Sequence, residues 1–547
     1  MKNKVLILLF AIGGLVSSCS DAYDINQKGE VNDAYEAFRT PQDIARGINA
    51  IYTSIPVSTE INLGSIFTDE VSIGLDNGGQ GLISGEYGFF MEAGSSYASS
   101  LWGSYYTIIN RINRLEEISV NLKSANPGLS GEFDNVLAEL YVLRAFAHYK
   151  LFAYFTPDYT NGSGMSAIIL DHVPPYDYSY SLPRNTVNEV KAFILKDLQT
   201  ASAIRQTGWV EGRDYVNAAI IEAIRVKLYA MTGDWDKVLE HGEIIMNQYS
   251  LTNAQEYKKL FARVTSTQGN FQEIYQEPAP NTELIFRLKV TLNSGPSVVA
   301  NWYSIRARGN DGSPFYEMGR SLYNELDKLD PTLTGTAFGD NRNDIRYEVN
   351  LVPDLGADYP GTKILENYET ASQADYNAND ILLIGKYLGM DGANLKNDIH
   401  IFRVADILLA MAEARAGRGE LLAGTSDPDD LVDNYSSVES ILYTLRFNRS
   451  KNSSAISMPD VSSQQAAFSA ILNERRVEFA FEGHRYLDMK RLGVRAGSQG
   501  FTRYSKDCTV NGACNLPANS YKMTLPIPIR EMNGNNSLTT DSQNPGY

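Results

Sequence analysis

Residues 471–493 read ILNERRVEFAFEGHRYLDMKRLG, a stretch crowded with charge and yet apolar on more than one side. On a helical wheel Val477, Ala480 and Phe481 fall together, while Leu472 and Phe479 fall nearly opposite. Glu474, Arg475, Glu478, Glu482 and Arg485 lie between these strips. A helix that is apolar on two sides is enclosed by protein, and enclosed charges need partners. Arg475 and Glu478, like Arg485 and Asp488, stand at the spacing where side chains meet along a helix. The pattern therefore predicts helix-internal ion pairs and gives the segment a scaffolding role instead of a chemical one.

Further helices read outward from it. Thr40 to Ile55 opens on Thr40 as a cap. Leu101 to Leu122 carries apolar residues at 101, 105, 108, 112, 115 and 118, a helical stripe. Asp134 to Phe155 is a long apolar helix, and Thr186 to Arg205 starts with Thr186 and Glu189 at capping-box spacing. Asn217 to Thr232 and Trp235 to Gln248 flank the tight turn Gly233-Asp234-Trp235. That turn resembles the turn of a tetratricopeptide unit. Asp398 to Gly417 and Val438 to Arg449 add late helices. Residues 60–100, 265–400 and 500–547 are rich in Gly, Asn, Asp, Ser and Pro, with short strands expected at Leu284–Val290 and Ile381–Tyr387. The expected fold is mostly α: a tetratricopeptide-like scaffold of helical pairs, with long irregular loops and a few short strands.

The run Asn473, Glu474, Arg475, Glu478, Phe479, Phe481, Glu482, Gly483, Arg485, Asp488, Arg491 is similar to the C-terminal signature of the SusD/RagB-like nutrient-binding lipoproteins. Leu143-Arg144-Ala145-Phe146, Ala412-Glu413-Ala414, Pro526-Ile527-Pro528 with Glu531, and Asn544-Pro545-Gly546-Tyr547 also resemble that family. The resemblance covers nearly the whole chain. It implies an N-terminal helical region over 19–264 and a C-terminal region over 265–547, both parts of one compact unit.

The N-terminus is read independently. Lys2 and Lys4 precede an apolar run of twelve residues, Val5 to Val16. That is shorter than the roughly 20 residues that span a bilayer, and it has the layout of a secretory signal over 1–18. Leu15-Val16-Ser17-Ser18-Cys19 looks like a bacterial lipobox, with Cys19 as the acylated residue. Asp21 and Asp24 resemble the export tag of surface-exposed lipoproteins. The expectation is a soluble protein tethered to the outer membrane by lipid and exposed at the cell surface.

The 547 residues carry a formal charge of −17, which argues against nucleic acid as a partner. Besides Cys19 there are Cys508 and Cys514, on either side of a turn-forming Asn511-Gly512. A disulfide is the favoured reading outside the cytoplasm, with a metal pair or two free thiols as alternatives.

Signals for catalysis are thin. The five histidines, His148, His172, His241, His400 and His484, form no H-E-x-x-H, and no G-x-S-x-G or phosphate-binding loop occurs. Glu478, Glu482 and His484 could be combined as metal ligands, but ion pairing within the scaffold is the simpler reading. No catalytic residue, metal site or cofactor is expected.

Binding has better material. Sugar rings pair an apolar C–H face with a hydroxyl rim and are held by aromatic platforms with amide and guanidinium donors. Two loops offer this mixture. The first holds Asn77, Gln80, Tyr87, Phe89, Phe90 and Tyr97; the second holds Asn301, Trp302, Tyr303, Arg306, Arg308 and Tyr316. Trp102 and Trp235 are assigned to packing, and Trp302 is the preferred platform. The resemblance implies a non-enzymatic protein that captures an oligosaccharide and passes it to a SusC-like, TonB-dependent outer-membrane transporter. A RagB-like peptide-binding lid is the alternative, and a glycoside hydrolase is a third reading.

Overall fold

In the first part of the chain, helices α1 (Pro41–Tyr52), α2 (Val57–Ile66), α3 (Ser96–Ala125), α4 (Ser130–Phe155), α5 (Val187–Ile204), α6 (Ala218–Thr232), α7 (Trp235–Met246) and α8 (Ala254–Leu260) follow one another, with strand β1 (Val71–Ile73) between α2 and α3. The computed structural model describes residues 37–80, 82, 85–177, 179–206, 214–261, 264–267, 270–273, 279, 282–289, 314–329, 342–352, 361–387, 389–390, 393–394, 397–425 and 427–547. The signal segment and Cys19 lie outside them. Thr40 forms a capping box with Asp43, and Thr186 forms one with Glu189. Asn217 accepts from the Ile220 amide, and Gly233, at φ 78°, closes α6 in the left-handed region. These side chains satisfy backbone groups that each helix end would otherwise leave bare.

The remainder alternates short strands with helices: β2 (Val264–Thr267), β3 (Asn270–Glu273), β4 (Leu284–Leu288), β5 (Tyr316–Met318), α9 (Arg320–Lys328), α10 (Ile345–Asn350), α11 (Gln373–Asn379), β6 (Gly389–Met390), β7 (Ala393–Asn394) and β8 (Ile399–Arg403). It continues with α12 (Val404–Arg418), α13 (Pro428–Leu431), α14 (Val438–Arg449), α15 (Gln464–Glu478), α16 (Arg485–Leu492), β9 (Phe501–Thr502), β10 (Asn515–Leu516) and α17 (Ile529–Gly534). The strands pair two by two, antiparallel, and build no larger sheet among the described residues. The mostly helical fold with few short strands matches the sequence reading.

Helix α4 lies between α3 and α5, and α6 packs on α7. Helix α12 is the hub: α6, α7, α14 and α15 all pack on it. Every residue from Val404 to Ala414 is buried, so this helix is enclosed on all sides. One continuous hydrophobic core runs from Ile44 to Leu538, joining helices from both ends of the chain. No described helix is long and apolar enough to cross a membrane.

Three expectations need correction. The helix expected from Asp398 begins only at Val404, because Ile399–Arg403 pairs as a strand with Leu284–Leu288. The strand expected over Ile381–Tyr387 reduces to two isolated bridges, Lys363 with Ile381 and Leu351 with Ile384. The opening stretch is not one helix: α15 stops at Glu478, Phe481 turns at φ 64° and Gly483 at φ 85°. A left-handed glycine breaks the helix here. It also lets α2 approach, since a Cβ on Gly64 would lie 2.5 Å from Gly483 Cα.

That break redirects the charges. Arg475 pairs with Asp406 at 2.7 Å and Asp488 at 2.8 Å, and not with Glu478. Glu478 instead receives Arg403 at 2.8 Å, Arg449 at 3.0 Å and Arg346 at 3.4 Å, from three other elements. Glu482 takes Lys386 at 2.7 Å and Arg403 at 2.9 Å. Arg485 reaches Asp69 at 2.8 Å, not Asp488. Of the local pairs, Asp488 with Arg491 forms, at 2.8 Å. Burial pushes the Glu478 carboxyl up, but Arg449, Arg403 and Arg346 outweigh it and hold the group well below the usual carboxylate range. The scaffolding role stands; the partners are long-range.

Candidate ligand-binding face

Strand β1 pairs with β5 in the register Val71 to Met318, Ser72 to Glu317 and Ile73 to Tyr316. The first candidate loop leaves β1, and the second leads into β5. The two stretches nominated from sequence therefore share one base. Beyond the strands the pairing continues: the Gly74 amide donates to Phe315 O at 3.0 Å and the Asp76 amide to Pro314 O at 3.2 Å. A Cβ at Gly74 would lie 2.1 Å from Pro314 O, so the close approach requires glycine there. Glu317 sits under the junction. Its carboxylate accepts from the Leu75 amide at 2.7 Å and the Leu382 amide at 3.3 Å. Burial pushes this carboxyl up to about 8, the two amides pulling the other way.

Within the first loop, most nominated side chains face inward. Asn77 is buried and donates Nδ2 to Phe315 O at 3.2 Å, tying the two loops together. Tyr87 is buried, with its hydroxyl on Asp507 O at 3.0 Å and the Arg503 guanidinium 3.8 Å from its ring centroid. Phe89 stacks on Phe501 at 6.4 Å, and Tyr97 is buried in the first turn of α3. Tyr316, also buried, meets Phe315 edge-on at 5.0 Å. Rings closed in this way offer no face to a sugar, so Asn77, Tyr87, Phe89, Tyr97 and Tyr316 build the face without lining it. Gln80 and Phe90 remain outward, Phe90 45% exposed. Asn301, Trp302, Tyr303, Arg306 and Arg308 lie outside the described residues.

A third segment, the one that holds the cysteine pair, completes the face. Cys508 and Cys514 form a disulfide. The short loop it closes reaches the first candidate loop, where Asn511 Nδ2 donates to Leu82 O at 2.6 Å. Just before it, the buried Asp507 carboxylate accepts from the Tyr376 hydroxyl at 2.6 Å and from the Arg320 amide at 2.9 Å. Burial raises the Asp507 carboxyl to about 6, against the lowering by Tyr376 and the Arg320 amide. Tyr504 meets Tyr368 edge-on at 5.4 Å and lies tilted against Tyr376 at 5.8 Å, and Arg320 lies 3.6 Å over Tyr368. Tyr368 and Tyr504 are half-buried, each keeping part of its ring at the surface. Their signal was in the sequence as tyrosines within polar loops, NYETASQADYN and RYSKDC.

The chain matches the SusD family over residues 247–547. The chain belongs to the SusD family. A second match, described as starch-binding associating with the outer membrane, covers residues 86–228. The chain is 25% identical to SusD-like protein P2 of Formosa agariphila, across 100% of this chain and 99% of that one. A SusD superfamily protein from Bacteroides thetaiotaomicron superposes with a TM-score of 0.66 at 19% identity, covering 92% of this chain and 100% of that one. A SusD-like carbohydrate binding protein from Bacteroides vulgatus superposes with a TM-score of 0.61 at 16% identity, covering 92% of this chain and 98% of that one.

In this SusD-family protein the signature residues themselves are committed to the scaffold. Glu478 and Glu482 hold arginines, and the ring of His484 stacks on Phe479 at 4.4 Å. Among the described residues no cluster of three or more His, Cys, Asp or Glu side chains could hold a metal ion. Trp102 is in the core, as expected, with Nε1 donating to Glu531 at 3.2 Å. Trp235 packs on the end of α12, where a Cβ at Gly417 would lie 2.3 Å from its Nε1.

Proposed function

We propose that this SusD-family protein is a surface lipoprotein, anchored in the outer membrane through Cys19, that binds oligosaccharides or polysaccharide fragments and hands them unmodified to a SusC-like, TonB-dependent transporter. The observation that carries the reading is the meeting of described segments on one base: the first loop where it leaves β1, the residues that enter β5, and the disulfide loop joined through Asp507. Tyr368 and Tyr504 meet there with partly open rings, and the first loop keeps the Phe90 ring and the Gln80 amide exposed. Such a surface holds sugars by ring stacking and hydroxyl hydrogen bonds, at an affinity modest enough for release. The carboxylates beneath it, Asp507, Glu317 and Asp380, are taken up by loop amides, a tyrosine and Arg320, which supports binding over chemistry. The carbohydrate-binding description of the Bacteroides vulgatus neighbour and the outer-membrane description of the second family match support the same reading.

Retention on polysaccharide affinity gels, with no shortening of the polysaccharide, is the test. Release of sugar fragments, or co-purification of peptides with no glycan retained, overturns the proposal. Cys19→Ala should release the protein from the membrane fraction, and pull-down from membranes should recover a TonB-dependent partner.

A further inference from the structure

A cleft opens at the N-terminal end of α15. It measures about 580 Å³, within the range of ligand pockets, and is lined by Trp235, Phe468, Gln464, Gln465, Val494 and Arg495 among others. It is separate from the loop face. Arg476, twelve residues along the helix from Gln464, reaches the segment just ahead of β1 and the start of α9, donating to Asp69 O and Ser321 Oγ at 2.8 Å. At 1.5 Å per residue Gln464 and Arg476 are about 18 Å apart along the helix.

Arg495 sets the chemistry of this cleft. Its guanidinium lies 5.1 Å from the Trp235 ring centroid and 5.9 Å from that of Phe468, and the side chain is half-buried. No described residue hydrogen-bonds or ion-pairs with it, whereas Arg475, Arg485 and Arg491 on the same stretch each hold a carboxylate. Every charge lining the cleft is positive, because Arg495 is its sole ionic residue, in a chain of formal charge −17. A guanidinium partly withdrawn from water with its donors unused favours an oxyanion, which it grips with two parallel hydrogen bonds. The exposed amides of Gln464 and Gln465 and the open part of the Trp235 indole stand beside it, suited to hydroxyls and a C–H face.

We propose that this cleft is a second saccharide subsite, taking a sugar unit that bears an oxyanion, either a carboxylate or a sulfate ester. The proposal rests on the saccharide reading above and is independent of the loop face. The test is calorimetry on the full chain with an oligogalacturonate, the same oligosaccharide with its carboxyls reduced to alcohols, and a sulfated oligogalactan. The wild type should bind an acidic probe about tenfold more tightly than the neutral one. The acidic probe that binds distinguishes carboxylate from sulfate. Arg495→Gln should remove that excess while leaving neutral-probe affinity and the far-UV spectrum unchanged, and Arg495→Lys should keep part of it. Equal affinity for acidic and neutral probes, or an acid preference that survives Arg495→Gln, overturns the proposal. Neutral binding without acid preference leaves the proposed function standing; binding of no saccharide removes both.

Discussion

Tyr376 donates its hydroxyl to the Asp507 carboxylate at 2.6 Å, and through that bond α11 is tied to the disulfide loop. The Asp507 carbonyl takes the Tyr87 hydroxyl at 3.0 Å, so one residue links three loops. Removing a partner leaves a buried polar group without a mate, at about 1–3 kcal/mol. Tyr376→Phe should therefore raise proteolytic nicking within 366–380 and lower glycan retention, with the helical signal unchanged. Unaltered nicking would show that the hydroxyl does not hold the loop.

The same carboxyl makes the junction pH-sensitive. Its folded pKa, about 6, lies above the ordinary aspartate value, chiefly through burial. A raised carboxyl contributes most below its unfolded pKa, and the contribution is lost as pH rises through the folded value. Hydrogen-exchange protection of residues 373–379, corrected for intrinsic rates, should fall between pH 4 and 6.5, about the interval these pKa values set. Asp507→Asn should flatten that dependence.

The core network responds to acid in the opposite sense. Burial raises Glu482, but Arg403 and Lys386 prevail and hold it at about 2. A lowered carboxyl supplies stability above its unfolded pKa and loses it as pH falls through the folded one. Urea titrations should show stability dropping from about pH 4.5 toward pH 2. Glu478→Ala, which takes from Arg346, Arg403 and Arg449 the buried carboxylate they share and leaves each its other acidic partner, should cost about 3–5 kcal/mol at neutral pH. Any protein that still folds should keep its glycan affinity, because Glu478 is buried in the scaffold.

Ring contacts carry the expected binding. Phe90→Ala, Tyr504→Ala and Trp302→Ala should each weaken glycan retention up to about tenfold in affinity gels, with denaturant midpoints unchanged for Phe90 and Trp302. Full retention in all three would move the site away from these loops.

The disulfide closes a short loop against the first candidate loop. Replacing both Cys508 and Cys514 by Ser should destabilise this region by about 2 kcal/mol. Glycan affinity should fall while the main melting transition moves little, read by calorimetry of binding and of unfolding.

Much was legible in one dimension. Capping boxes at Thr40 and Thr186, the glycine turn at Gly233, the apolar stripe of α3 and the all-round apolar character of α4 are local, and the structure keeps them. The need of Glu478 and Arg475 for partners was legible too, since charges between two apolar strips must be enclosed. Which partners they took was not. Gly483 and Phe481 turn the chain out of the helix, and the charges meet residues scattered from Asp69 to Arg491. Likewise Tyr87 and Phe90 look alike as aromatic residues of one loop, yet one is fully buried and the other open. Sequence by itself determined the helical scaffold and its enclosed charges, because periodicity and caps act over a few residues. Only the tertiary structure decided the ion-pair partners, the junction at Asp507 and which rings face solvent, because burial and pairing depend on chain segments hundreds of positions apart.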